Sequence, residues 1–281
     1  MIQLINLTKH YGKLAAVDAL NFEVPAGEIF GFLGPNGAGK TTTIRVMMGI
    51  LKPTAGRVVL GGYDVEREPE KAKAISGFIP DRPFIYEKLC GGEFLDFVGK
   101  LHRLEPRRLE RRMTELLKLL ELTPWRDELV ESYSHGMKQR LVMCAALIHE
   151  PQILIIDEPM VGMDPRGART LKDLFRSLAE NGTTIFLSTH SIAVAEEICH
   201  RIGIIQRGRL IACGTMAELH DQAASKDGNL ESVFLELTRE QIADGAAAEG
   251  AEERVFDYKI LRTLRSLCLC GEIRITPLVA A

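Results

Sequence analysis

Four short apolar runs punctuate the chain: 29–33 (Ile-Phe-Gly-Phe-Leu), 153–156 (Ile-Leu-Ile-Ile), 184–187 (Thr-Ile-Phe-Leu) and 202–205 (Ile-Gly-Ile-Ile). A strand that is apolar at every position is buried on both faces, and helical stretches alternate with these runs. The pattern predicts an α/β fold, a mainly parallel sheet covered on both sides. Gln206-Arg207-Gly208-Arg209 separates the last run from Leu210-Ile211-Ala212 and predicts a hairpin turn, with Gly208 supplying the positive φ.

The pattern changes between about 85 and 149, where strands give way to a helical repeat. Leu109, Met113, Leu116, Leu117 and Leu120 recur at spacings of three and four and predict one buried helix face. Glu110, Arg111, Arg112, Glu115 and Lys118 fill the opposite face. This region is expected to be a helical insert within the sheet domain. Beyond about 221 the pattern weakens. The stretch 241–254 is rich in Ala, Gly and Glu and reads as a linker. At 255–267 periodicity returns: Phe256, Ile260, Leu264 and Leu267 share a helical face flanked by Lys259, Arg262 and Arg265. Packing of that face on protein is the favoured expectation over lying on a membrane.

Composition narrows the function classes. The chain has 281 residues with a formal net charge of −3, so no global field draws it to nucleic acid or anionic lipid. The first residues lack the basic-then-apolar layout of a signal peptide, and no apolar run approaches the ~20 residues of a spanning helix. A cytoplasmic, soluble chain is the expectation. The six cysteines are scattered without metal-ligand spacing, which predicts reduced, structural thiols.

Candidate chemistry follows the first strand. Gly34-Pro35-Asn36-Gly37-Ala38-Gly39-Lys40-Thr41-Thr42 has the form G-x-x-x-x-G-K-[ST] in a strand-then-helix context. Its glycines let successive N–H groups converge on one anion, and the following helix adds its positive end. Lys40 can reach the outer phosphates and Thr41 can ligate Mg²⁺. The run 153–156 ends in Asp157-Glu158, delivering two acids to the sheet edge where α/β folds bind ligands. Asp157 suits the metal's water shell, and Glu158 suits a general base that polarises an attacking water. His190 follows the third run and can hydrogen-bond the γ-phosphate or orient that water. Asp164-Pro165 has the form of an N-cap before a helix at 166–180.

Tyr133-Ser134-His135-Gly136-Met137-Lys138-Gln139-Arg140 resembles the signature segment LSGGQ-x-Q-R of the ATP-binding cassette (ABC) family, with Tyr133, His135 and Met137 replacing the usual residues. The order of phosphate loop, signature, Asp-Glu pair, Asp164 turn and His190 matches that family over residues 1–220. The resemblance implies a P-loop NTPase (RecA-like) core, mainly parallel, with an inserted helical subdomain at about 85–149 and an N-terminal antiparallel β portion. Residues 221–281 would be a C-terminal extension.

The resemblance further implies ATP and Mg²⁺ as cofactors and a dimer, with itself or a second cassette, that sandwiches each ATP. Residues 34–42, Asp157, Glu158 and His190 would form one half-site. Ser134 and Gly136 would complete the partner's site, and Tyr11 would stack on adenine. Asp81 stands where the family usually has a Gln, as a candidate Mg²⁺ contact. The implied function is the ATPase subunit of a bacterial export-type transporter, peripheral on the inner face of the membrane through a separate membrane-spanning permease. The stretch 82–89, with Phe84, Ile85 and Tyr86, matches the family's groove for a partner's short helix. The alternative, a soluble ABC ATPase acting on ribosomes or DNA, is disfavoured: the sequence has one phosphate loop, no sustained heptads and no basic arm for nucleic acid.

Overall fold

The structure, a computed structural model, describes residues 1–82, 84–160, 165–222 and 234. The residues 1–237 form one compact unit. The expected linker at 241–254, the helix at 255–267 and the Asp164 cap lie outside the described residues.

The apolar runs become the strands of one sheet: β3 (Ile29–Leu33), β7 (Ile153–Asp157), β8 (Thr184–Thr189) and β9 (Arg201–Gln206). With β6 (Ser76–Ile79) and β10 (Arg209–Gly214) they align in the order β10-β9-β3-β8-β7-β6. All neighbours run parallel except the β9–β10 hairpin. Parallel strands bring their C-terminal ends to one edge, so the segments after β3, β7 and β8 emerge side by side.

Alternate residues of these strands serve two cores. Ile153, Ile155, Phe30, Phe32 and Phe186 face one side, where they meet the helix α1 (Lys40–Met47) and a second, four-stranded sheet. That sheet is antiparallel, formed by β1 (Ile2–Tyr11), β2 (Leu14–Val24), β4 (Ala55–Leu60) and β5 (Tyr63–Asp64). Phe22 of β2 stacks on Phe30 with ring centres 5.1 Å apart, and Phe30 stacks on Phe186 at 5.8 Å, pinning one sheet over the other. Leu154, Ile156, Ile185 and Leu187 face the opposite side, where the remaining helices cover them.

Between β6 and β7 the chain is helical: α2 (Pro69–Ala74) precedes β6, then α3 (Gly91–Leu101), α4 (Pro106–Leu119) and α5 (His135–Leu147) follow. Leu109, Met113, Leu116 and Leu117 of α4 are buried, as the periodicity predicts. Arg112 departs from the polar face assigned to it. It is half-buried because its guanidinium turns inward to Glu150, 3.5 Å away, and to the Leu147 carbonyl oxygen, 3.4 Å away.

After β7 come α6 (Pro165–Glu180), α7 (Ile192–Ile198) and α8 (Met216–Gln222). In the β9–β10 turn both Arg207 (φ 47°) and Gly208 (φ 78°) are left-handed, the conformation of a two-residue turn matched to strand twist. Phe234 packs on the helix-side core.

Candidate active site

The phosphate-loop segment runs from the end of β3 into α1. Gly34 is fixed by close approach: a Cβ would sit 2.5 Å from the Ile205 carbonyl oxygen. Gly39 is the N-cap of α1 at φ 106°, a backbone that L side chains rarely adopt, and a Cβ there would overlap the Ala16 carbonyl. Gly37 (φ 77°) needs its freedom for the turn itself, since open space lies beside it. Pro35, Asn36 and Gly37 form an exposed rim, while Ala38 and Gly39 are buried. The hairpin turn braces the loop from behind, the Gly208 N–H donating to the Ala38 carbonyl over 2.9 Å.

Lys40 opens α1 and is buried, its ammonium donating to the carbonyls of Gly34 (2.7 Å) and Pro35 (3.2 Å). Burial lowers its pKa, opposed by the negative charges of Glu158 and Asp157. Thr41 is exposed beside it, and Thr42 is half-buried.

Asp157 ends β7, where strand register sets it opposite Ser188 of β8. Thr41 Oγ1 donates to one carboxylate oxygen over 3.2 Å, and the Ser188 hydroxyl donates to the other. Burial pushes the Asp157 carboxyl above its usual range, while the two hydroxyls pull it back and the charges of Glu158 and Asp81 push it further up.

Glu158 follows in a left-handed conformation (φ 49°), with its N–H bonded to the Ser188 carbonyl over 3.1 Å. Its Oε1 lies 2.9 Å from His190 Nδ1 and 3.6 Å from Lys40 Nζ, and its Oε2 accepts the His190 backbone N–H at 3.4 Å. The His190 ring is more than half exposed, whereas Glu158 is mostly covered. Two strand ends and one helix start therefore bring Lys40, Thr41, Asp157, Glu158 and His190 together. Asp81 is exposed just beyond β6 and reaches this group through its charge alone.

Tyr11, Ser134 and Gly136 make no hydrogen bond to that group among the described residues. Tyr11 ends β1, exposed, with the Lys9 ammonium 5.5 Å from its ring centre. Ser134 is the exposed N-cap of α5, its hydroxyl accepting the Met137 N–H at 3.3 Å, and Gly136 has open space where a Cβ would be. Ser188 is the residue that sequence reasoning passed over. Its only signal is its place two residues before His190, directly after the apolar residues 185–187.

The donor set of Asp157 and Thr41 consists of hard oxygen atoms on neighbouring elements. It fits Mg²⁺, which takes one or two protein oxygens and keeps its remaining positions for water and phosphate.

A glycine loop between strand and helix, backed by strand-end carboxylates, defines a P-loop nucleoside triphosphatase. Residues 17–161 match the family described as ABC transporter. The chain is 39% identical over 219 residues to the linearmycin resistance ATP-binding protein LnrL of Bacillus subtilis, covering 78% of this chain and 70% of that one. It is 42% identical over 211 residues to the daunorubicin resistance ATP-binding protein DrrA3 of Streptomyces coeruleorubidus, covering 75% and 67%. A dimeric post-hydrolysis ATP-binding cassette bound to ADP and Pi superposes with a TM-score of 0.70 at 25% identity, over 76% of this chain and 98% of that one. The chain belongs to the ABC transporter family, as an ATP-binding, ATP-hydrolysing subunit. Among the described residues no helix is long and apolar enough to cross a membrane.

Proposed function

We propose that this chain powers an exporter by hydrolysing ATP in the cluster at the sheet edge, closing with a second cassette, identical or different, around two ATP molecules. The observation that carries the reading is Glu158, held between Lys40 and His190 beside the Thr41–Asp157 pair. Backbone N–H groups of 34–42 and the Lys40 ammonium would hold the phosphates. Asp157 and Thr41 would hold Mg²⁺, which when bound neutralises charge on the outer phosphates. Glu158 would take the proton of the attacking water as its oxygen bonds to the γ-phosphorus and the bond to the β–γ bridging oxygen breaks. His190, fixed by Glu158, would hydrogen-bond the γ-phosphate. Tyr11 would stack on adenine, and Ser134 and Gly136 would face the phosphates held by the second cassette. Asp81 would stand near the metal as a further carboxylate.

A separate membrane-spanning permease would carry the cargo, placing this chain on the cytoplasmic face of the membrane. Phe84 and Tyr86 support such a contact, being 94% and 60% exposed on one short segment. The drug-resistance names of the relatives support export. The test is phosphate release by the purified chain. Glu158→Gln keeps the side chain's size and removes the base, so turnover is expected to fall by about a hundredfold or more while a fluorescent ATP analogue still binds. Turnover within a few-fold of the unaltered chain would overturn the assignment of Glu158.

A further inference from the structure

Tyr133 and Ser134 are successive extended residues, with φ/ψ of −72°/139° and −63°/163°. Both lie in the polyproline II region, where successive side chains point about 120° apart. Accordingly the Tyr133 ring is buried in the helical insert, 4% exposed, while Ser134 faces outward as the cap of α5. The Tyr133 hydroxyl donates to the Trp125 carbonyl. Its ring meets the Trp125 ring edge-on at 6.5 Å.

The Trp125 segment is itself tied to the start of α3. The Gly92 N–H donates to the Arg126 carbonyl over 2.7 Å and the Gly91 N–H to the Glu128 carbonyl over 3.2 Å. The Arg126 guanidinium grips Glu110 of α4 with bonds of 2.8 and 3.0 Å. Gly91 leaves the space that the hydroxyl occupies: a Cβ there would overlap the Tyr133 hydroxyl oxygen and crowd Tyr133 Cζ at 3.3 Å, while the Arg126 carbonyl oxygen lies at an ordinary 3.5 Å.

We propose that Tyr133 is a positioning residue for Ser134, its hydroxyl locking the α5 cap in the orientation that meets a second cassette's nucleotide. The inference rests on the reading of Ser134 given under Proposed function. It assigns a use to the tyrosine that replaces the signature's usual first residue, and to the glycine facing it. Loss of one buried hydrogen bond would loosen the cap without touching the phosphate loop, so it would weaken closure and spare nucleotide binding by a single chain.

The test uses the full chain carrying Glu158→Gln, with dimer formation followed by sizing chromatography as ATP is raised in excess Mg²⁺. Adding Tyr133→Phe is expected to raise the half-maximal ATP concentration about three- to tenfold, with single-chain affinity for a fluorescent ATP analogue unchanged. Gly91→Ala is expected to shift it in the same direction, because the new methyl displaces the hydroxyl. Combining Gly91→Ala with Tyr133→Phe removes the overlap with the hydroxyl and leaves a tight 3.3 Å contact with the ring Cζ, so the double variant is expected to lose less than the sum of the two single effects, a non-additivity that general loosening does not produce. Trp125, the only tryptophan, reports local packing through its emission in each variant. An unshifted Tyr133→Phe, additive effects in the double variant, or a parallel loss of single-chain affinity would each overturn the role of Tyr133. If Glu158→Gln alone stays monomeric with ATP, closure between two copies of this chain fails, and the assignment of Tyr133 to that closure fails with it.

Discussion

At the scale of single residues, the candidate site assembles because each charge is placed by an element that has another reason to be there. Asp157 ends a strand buried on both faces, Lys40 begins a helix, and Glu158 turns in a left-handed residue just past the strand. Ser188 makes the point most directly. It is fully buried, and its side chain meets the site through the hydrogen bond that orients Asp157. Ser188→Ala would leave that carboxylate oxygen without a donor and free the group to turn. Partners that orient a metal ligand typically contribute ten- to hundredfold in affinity. The expected outcome is about a tenfold rise in the Mg²⁺ concentration giving half-maximal turnover, read from phosphate release across a Mg²⁺ titration. An unchanged Mg²⁺ dependence would separate Ser188 from metal binding. The residues of 34–42, Asp157, Glu158 and His190 were legible because each is a local pattern. Ser188 was not, because its partner is set by register between strands 31 positions apart in sequence.

At the scale of elements, the strand runs and the α4 periodicity were readable because burial imposes periods of two and of three to four. The inward turn of Arg112 and the left-handed Arg207 were not, since each depends on a neighbour far along the chain or on the twist of two paired strands. The same holds for the pair His102 and His149, which bridges the end of α3 and the segment after α5. Their rings stack at 3.7 Å, and His149 Nε2 lies 3.1 Å from the Ser76 carbonyl oxygen. Burial first, then the neighbouring His102, pushes His149 from the usual 6.5 down to about 4; burial also lowers His102. The unfolded chain therefore binds more protons than the folded one between pH 6.5 and 4. Stability is at its full value above that window and falls as pH drops through it. Thermal unfolding across this range is expected to lose less for His149→Gln than for the unaltered chain. Parallel profiles would show that His149 does not report the buried environment described.

At the scale of the whole molecule, the proposed exporter requires a surface that passes the chain's motion to a membrane partner. The segment 84–89 is strapped to the helical insert by Lys138–Glu87 and Lys88–Glu131 ion pairs, each at 2.5 Å, and by the Val130 N–H donating to the Leu89 carbonyl over 2.9 Å. Phe84 and Tyr86 stand out from it, Tyr86 meeting Phe97 edge-on at 5.7 Å. Changing Phe84 and Tyr86 to Ala is expected to weaken co-purification of a membrane protein with the tagged chain, aromatic anchors at interfaces often contributing ~2 kcal/mol or more. Nucleotide binding by the isolated double variant should be unchanged, and an undiminished co-purified partner would remove these residues from the interface. The central claim is that two chains, or this chain and a second cassette, close on ATP through the cluster around Glu158. For the chain alone, the most direct measurement is the mass of the Glu158→Gln variant in solution with and without ATP and Mg²⁺. The account predicts a monomer without nucleotide and a dimer holding two ATP molecules with it. A variant that binds ATP at saturation and remains a monomer would contradict closure between two copies of this chain.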